Sequence, residues 1–366
     1  MRTTNFTNDG SLDLSEVVER DIDVKKVQKK RLQFGDTIIE KSGGSPSQPV
    51  GRVVYFDIDS EEPYLCNNFT AVLRPNSSTD PKYLFWFLFY NHLTKNTLRF
   101  QNKTTGIINL QLTRYLAELK IPLPTLAAQQ KLAAILDEAD ALRRKDNALL
   151  AKFDELLQSV FYDMFGDPVK NDREWEVKKL FSIGKIKSGG TPSRERPEFF
   201  KGDIPWVTTV SLGELFIDEK KAVEFITEDS IINSATKLVP KGSIMIGTRV
   251  GVGKASILKC DICSSQDILS LSELDTNFST VFLHQVLSYY QQYFESQKRG
   301  ATIQGITSDT IKGLDIIYPP KEYQSQFEKV SLGIYDQKSQ IIQQRINSEN
   351  LFQSLMQRAF KGELVG

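Results

Sequence analysis

Glu118–Leu119–Lys120–Ile121–Pro122–Leu123–Pro124 leads into a long charged amphipathic run, and about 196 residues later Gly313–Leu314–Asp315–Ile316–Ile317–Tyr318–Pro319–Pro320 leads into another. The runs also end alike. Leu157–Gln158–Ser159–Val160 is followed by Phe165–Gly166–Asp167, and Phe352–Gln353–Ser354–Leu355 by Phe360–Lys361–Gly362–Glu363. A chain written this way alternates globular unit, helix, globular unit, helix. Two similar surfaces on a spacer suit recognition better than chemistry.

Working outward, Ala127 to Phe165 carries a heptad pattern. Leu132, Ala139, Phe153 and Val160 fall seven or fourteen apart, with Asp146 as a polar break, and Ile135, Leu142, Leu149 and Leu156 fall seven apart. Together they read as an a/d seam. About 36 helical residues span roughly 54 Å. So narrow a seam wants another long helix, and the second run, from about Gln324 to Lys361, repeats Ile334, Ile341 and Leu355 on a heptad multiple. Two such helices in one chain would pair antiparallel. Ile135, Leu142, Leu149, Phe153, Leu156, Val160, Ile334, Ile341 and Leu355 are the candidate spacer and partner-binding positions.

The flanking units read as mixed α/β. In the first, Gln33–Phe34–Gly35–Asp36–Thr37–Ile38–Ile39 is a turn feeding a strand, and Gly51–Arg52–Val53–Val54–Tyr55 its partner. Asp80–Pro81 starts a helix whose body, Tyr83 to Phe89, is apolar nearly all round and so predicted buried. The second unit answers in the same order: Pro240 to Ile246, Gly253 to Ile257, Cys263–Ser264–Ser265 for Cys66–Asn67–Asn68, Phe282–Leu283 for Tyr83–Leu84, and Gly300 to Gln304 for Thr104 to Ile108. One local match conflicts with this offset. Ser42–Gly43–Gly44–Ser45–Pro46–Ser47 looks like Ser188–Gly189–Gly190–Thr191–Pro192–Ser193 but reads as convergent loop composition, which leaves Trp175 to Trp206 without a counterpart in the first half. The predicted fold is α+β. It has units at 1–125 and 169–320, helical spacers at 126–168 and 321–366, and a pseudo-two-fold repeat.

A length of 366 residues with 40% hydrophobic content supports two or three real cores. Lys and Arg balance Asp and Glu at 46 each, which argues against a simple basic DNA coater but permits local basic faces. No signal peptide or membrane-length apolar run is evident. Three cysteines and two histidines fit a reducing cytoplasm and neither a disulfide framework nor a zinc cage.

The apparent catalytic motifs fail on context. Asp137–Glu138–Ala139–Asp140 spells a helicase magnesium motif, but it sits inside the heptad helix, where the acids are expected to face water. Arg249–Val250–Gly251–Val252–Gly253–Lys254–Ala255 lacks the first glycine of a phosphate loop and has Ala255 where Ser or Thr would meet magnesium. Cys260–Asp261–Ile262–Cys263 is one pair without a second, so it reads as two small residues at a strand edge. His92 and His284 sit in apolar helical surroundings at non-equivalent points and read as packing residues. Tyr318–Pro319–Pro320–Lys321 lacks the acidic or amide residue and the base-stacking aromatic of an amino-methyltransferase. Both Pro-containing segments are expected to stop a strand before a long helix.

Polar, basic, Gly-rich loops remain. The first unit offers Ser42, Gly43, Gly44, Ser45, Arg52, Lys103, Thr104 and Thr105. The second offers Ser188, Gly189, Gly190, Thr191, Ser193, Arg194, Thr248, Arg249, Lys254, Arg299, Thr302 and Gln304. Arg and Lys can grip phosphates or guanine edges, Gln can pair with adenine, and hydroxyls and backbone amides can hold phosphates. A coiled-coil adaptor with two protein-binding heads is the other reading of this layout.

The block Ile186 to Ser193 followed by Phe199–Phe200–Lys201–Gly202–Asp203–Ile204–Pro205–Trp206–Val207 resembles the opening of a target-recognition domain in the specificity (S) subunit of type I restriction-modification systems. Leu238 to Ile246 looks like its next strand. Ile121 to Pro124 with Gln129–Gln130–Lys131, and the echo Ile317 to Pro320 with Gln326, look like entries to that family's two helical regions. The resemblance spans essentially the whole chain. It implies that each unit reads half of a split double-stranded DNA site, and that the antiparallel helices set the gap and bind two modification (M) subunits. S-adenosylmethionine would then belong to those M subunits, ATP and magnesium to partner subunits, and restriction (R) subunits would complete the assembly. The chain itself would have no catalytic residues, metal or cofactor. The first unit departs from the pattern: it enters at the equivalent of about Val207 to Leu215.

Overall fold

The computed structural model describes residues 1–104, 107–297 and 305–364. The chain divides into two compact units. One comprises Met1–Ala148 with Ile342–Gly366, the other Leu149–Ile341.

In the first unit, α1 (Val24–Lys30), β1 (Thr37–Glu40), β2 (Ser42–Gly44), β3 (Val53–Tyr55) and β4 (Thr70–Leu73) precede α2 (Pro81–Leu93), then β5 (Gln101–Thr104), β6 (Ile107–Leu110) and α3 (Leu112–Glu118). β1 is fully buried and lies between β3 and β4, both antiparallel to it. β2, β6 and β5 form a separate three-stranded sheet. Asp80 caps α2 by accepting from the Tyr83 amide, with Pro81 in the first turn, where its missing N–H costs nothing. Phe85, Trp86, Leu88 and Phe89 of α2 are buried with Ile39, Val53 and Tyr55.

The longest elements follow. Helix α4 (Leu126–Phe165) runs from the first unit into the second. The second unit then contains β7 (Val177–Lys179), α5 (Leu180–Ile183), β8 (Lys185–Ser188), β9 (Ile204–Val207), β10 (Phe216–Ile217), β11 (Glu224–Ile226), α6 (Glu228–Ile232), β12 (Leu238–Val239), β13 (Ile244–Gly247), β14 (Ala255–Leu258), β15 (Ile262–Ser264) and β16 (Ile268–Ser272). α7 (Thr280–Tyr289), α8 (Gln291–Gln297), α9 (Ser308–Lys312), β17 (Asp315–Ile317) and α10 (Lys321–Lys361) complete the chain.

The core of the first unit recurs here. β13 lies between β14 and β16 as β1 lies between β3 and β4, and α7, capped by Ser279, packs as α2 does. Around this core the second unit adds β8 beyond β16 and β10 beyond β14. It also adds a four-stranded sheet of order β11-β9-β15-β12 and the pair β17-β7. Trp175 to Trp206 supplies β7, α5 and β8 and most of β9. Among the described residues nothing in the first unit corresponds to β7, α5 or β8. The two units come into step near Met1. Its carbonyl accepts from the Asn67 amide at 3.1 Å, as the Val207 carbonyl accepts from Ser265 at 3.0 Å. One-turn helices follow at Thr3–Asn5 and Thr209–Ser211, each leading to a buried apolar residue, Phe6 or Leu212.

A strand, β17, precedes α10 by pairing with β7, but the matching residues before α4 form none, and among the described residues the first unit has no strand at the place of β7. The echo of Gln129 is Gln324, two residues before the expected Gln326. Gln129 accepts from the Asp80 amide and donates to the Ser78 and Pro124 carbonyls. Gln324 accepts from the Ser279 amide and donates to the Asn277 and Pro319 carbonyls. Each buried amide thus ties the capping turn of the apolar helix to the proline turn that starts the long helix.

Within each unit the two long helices pack antiparallel. In the first, Leu132, Leu136 and Ala139 are buried with Phe352, Met356 and Ala359. Asp146, the polar break, is buried and satisfied: it accepts from Gln344 Nε2 and Ser348 Oγ, both at 2.7 Å. In the second unit Phe161 and Phe165 meet Phe327, and Lys338 pairs with Asp154. The a positions hold the seam, with Phe153 and Val160 half-buried. The expected d line does not: Leu142 and Leu156 are 40% and 47% exposed. The second buried line lies one residue later, through Leu136 and the half-buried Arg143 and Leu157. A helix of 3.6 residues per turn drifts against a 3.5 repeat, and helices that also face a globular core bury a wider stripe than a free coiled coil. Ile135, Leu149, Ile334, Ile341 and Leu355 are half-buried.

The acids of Asp137–Glu138–Ala139–Asp140 do not all face water. Asp140 is buried and paired with Arg143 and Arg144, and Asp137 accepts from Trp86 Nε1 at 2.9 Å. Cys263 lies inside the four-stranded sheet, not at its edge, and burial pushes its thiol up to about 11.

Candidate nucleic-acid interface

In the second unit the end of β8, the end of β13 and the start of β16 lie at one end of the sheet, since Ser188 is registered with Leu269 and Gly247 with Ile268. Three loops leave from there. Thr248 donates through both its amide and its hydroxyl to the Asp267 carbonyl, at 2.8 and 2.9 Å. Arg249 holds the Asp267 carboxylate at 3.3 Å and bridges to Gly305. Thr191 donates to Gln266 Oε1 at 2.5 Å. The structure thus gathers Ser188, Thr191, Thr248 and Arg249 with two residues the sequence reading missed, Gln266 and Asp267. They directly follow Cys263–Ser264–Ser265, which was recognised only as a marker of the repeat.

Gly189 and Gly190 serve the crossing of chains. A Cβ on Gly189 would lie 2.3 Å from the Ser265 carbonyl, and one on Gly190 2.3 Å from the Thr236 amide. Only glycine permits that approach. Trp206 Nε1 fixes the turn by donating to the Gly190 carbonyl at 3.1 Å. Ser193 is exposed next to it, its Oγ accepting from the Glu195 amide. Arg194 grips Glu224 with two nitrogens, each at 2.6 Å, and lies over the Phe200 ring, so its guanidinium is largely satisfied by protein. Lys254 is exposed, its stem against Gly251 and Gly213. Arg299, Thr302 and Gln304 lie outside the described residues.

In the first unit Ser42, Gly43 and Gly44 form β2, directly after β1, where Thr248 to Gly251 follow β13. They are not equivalent to Ser188–Gly189–Gly190 on β8, so the two similar stretches occupy different points of the fold. Ser42 Oγ donates to Asn109 Oδ1 at 2.6 Å, and Ser45 closes a turn with Gln48. Lys103 and Thr104 end β5; their side chains, and Thr105, lie outside the described residues.

Arg52 leaves the candidate interface. It is buried, its Nε and Nη2 hold both Glu40 carboxylate oxygens at 2.9 and 3.1 Å, and it donates to the Phe6 and Thr3 carbonyls. A guanidinium this fully paired ties the first residues of the unit to its sheet. Both histidines are pushed down to about 4 by burial, and His284 Nε2 lies 3.1 Å from the Ala255 carbonyl. Among the described residues no group of three or more His, Cys, Asp and Glu could hold a metal ion, and no helix is long and apolar enough to cross a membrane.

Among the described residues the arrangement offers hydroxyls, amides and a few cations on loops at one sheet end. The model of the type I restriction modification DNA specificity domain matches residues 3–151 and again 172–349. Curated relatives include the MjaIX specificity subunit of Methanocaldococcus jannaschii, 26% identical over 54% of this chain and 45% of its own length. The EcoR124I/EcoR124II specificity subunit of Escherichia coli is 27% identical over 68% and 63%. The chain therefore spans less than two thirds of these relatives. A putative MjaX specificity subunit is 24% identical over 90% of this chain and 78% of its own. Among solved structures, the S subunit of a type I system from M. genitalium aligns over 91% of this chain and 84% of its own, with TM-score 0.56 and 15% identity. A chain from a study of the assembly and conformational transition of the type I system aligns over 99% and 91% at the same TM-score. With a family model matching twice, over the segments that carry the structural repeat, the chain belongs to the type I restriction-modification DNA specificity family.

Proposed function

We propose that this protein is the non-catalytic sequence-reading subunit of a type I restriction-modification complex. Each unit contacts one half of a bipartite double-stranded DNA site through its sheet-end loops, and the helices α4 and α10 dock two M subunits, with R subunits joining the full complex. The observation that carries this reading is the recurrence of one core, β-strand trio plus apolar helix, with polar loops leaving the same point of each copy. Thr191, Thr248, Arg249, Lys254 and Gln266 are the reading residues of the second unit. Ser42, Ser45 and Asn109 take that part in the first. The exposed Leu142 and Leu156 of α4 face partner helices in the assembly. Methyl transfer, ATP use and their cofactors belong to the partner subunits, and the complex works in the cytoplasm.

The test is DNA binding by the complex with its M subunits over a salt series. A reader loses affinity steeply as salt rises, because phosphate contacts release counterions, yet keeps preferring one sequence. Binding without sequence preference at every salt concentration contradicts the proposal.

A further inference from the structure

Arg194 and Arg249 both lie at the candidate interface of the second unit, and the fold holds them differently. Arg194 gives two nitrogens to Glu224 and lies over the Phe200 ring. Arg249 is held at one edge only. Its Nη1 donates to Asp267 Oδ1 at 3.3 Å, the single side-chain hydrogen bond it makes among the described residues, and the side chain is 55% exposed. Its stem is confined as well. Gly305 bridges to Arg249, and a Cβ there would lie 2.7 Å from Arg249 Cγ. Thr248 anchors both ends of the pair: its carbonyl accepts from the Ile306 amide at 2.9 Å, and its amide and hydroxyl hold the Asp267 carbonyl. An arginine so fixed is oriented before any ligand arrives, and its Nε and Nη2 keep the geometry of a two-donor fork.

Charge decides what that fork takes. Arg249 and Asp267 together are neutral, and a phosphate on the same guanidinium would meet the carboxylate at a like-charge cost. O6 and N7 of guanine are neutral acceptors spaced for the fork, and they face the major groove. We infer that Arg249 reads a guanine in the half-site of the second unit, with Asp267 as the residue that positions it. This rests on the proposed sequence-reading function and adds the identity of one base. The exposed Lys254, on the same connection between β13 and β14, takes a phosphate instead. In the first unit Ser42 stands after β1 where Arg249 stands after β13, so the guanine requirement belongs to one half-site.

The test uses the complex with its M subunits and the duplex it selects from random DNA. The expected site has a fixed guanine in the half-site that Arg249→Ala relaxes. Replacing that guanine by 7-deazaguanine, which removes N7 and keeps the base pair, weakens binding about tenfold. Arg249→Ala removes both the guanine preference and the sensitivity to 7-deazaguanine. Unchanged selection in the other half-site shows that the variant is folded. Asp267→Asn lowers the preference for that guanine about fivefold, and Asp267→Glu restores part of it, whereas a structural loss weakens all sequences alike. Guanine preference that survives Arg249→Ala everywhere in the site overturns the inference alone. So does a salt slope lowered by about one with base preference unchanged, the mark of a phosphate contact. Asp267→Asn without effect on the preference overturns the role of Asp267. No sequence preference in the unaltered complex overturns the proposed function and this inference together.

Discussion

The second unit covers its shared core with β7, α5 and β8, whereas among the described residues the first leaves that side open. Both have the three-stranded centre, the apolar helix and the glutamine clamp. Among the described residues, only the second adds β7, α5, β8 and a four-stranded sheet. What is held in common is therefore what joins each unit to the long helices. What differs is the covering and the loops. A scaffold needs its joints to be equivalent. Its reading surfaces need not be, and must differ if the two half-sites differ.

The clamp gives the largest expected effect. Gln129→Ala and Gln324→Ala each remove three hydrogen bonds from a side chain at most 1% exposed and leave buried backbone groups unsatisfied. Each is expected to cost about 3 kcal/mol. Urea unfolding read through Trp86 for the first unit and Trp175 and Trp206 for the second should show matched losses; a large loss in one unit alone would break the equivalence of the joints. The covering predicts the opposite kind of result, since Leu116 is 41% exposed where Ile311 is 0%. Ile311→Ala should cost about 3 kcal/mol in the second unit, and Leu116→Ala under about 1 kcal/mol in the first, in the same assay. Equal costs would mean that the first unit is covered there as well.

Acid sharpens the comparison next. Each unit has one half-buried histidine whose ring nitrogens are shielded, pushed down to about 4 from an ordinary 6.5. The folded state holds the ring neutral and the unfolded chain takes a proton first. The stabilisation is therefore fully present above pH 6.5 and is lost as pH falls towards 4. The loss is about 3 kcal/mol per unit, and His284→Gln should flatten the pH dependence of the second unit without touching that of the first. The smallest effect is expected at Lys338→Ala. It removes an ion pair to the exposed Asp154 and should change stability by less than about 0.5 kcal/mol.

The sequence showed the repeat because its strongest signals are local. Heptad spacing, the proline turn and the apolar run Tyr83 to Phe89 each depend on neighbours a few residues apart. It misplaced the d line because burial against a globular core is a long-range property. Leu136 and Leu142 look alike in sequence, yet Leu136 is buried in the core that holds Phe352 and Met356 and Leu142 is exposed. Arg52 looked like a phosphate ligand because its partners, Glu40 and the Phe6 and Thr3 carbonyls, are distant in the chain. Gln266 and Asp267 were missed for the same reason, since their significance comes from Thr191 and Arg249, which only folding brings alongside.

The central claim is that each unit reads its own half-site. The most direct measurement is site selection from random double-stranded DNA by the complex with its M subunits, carrying Thr248→Ala and Arg249→Ala together. The account predicts relaxed selection in one half-site, by about 1–3 kcal/mol per lost base contact, with the other half-site and the gap between them unchanged. Relaxation of both half-sites, or of neither, would contradict it.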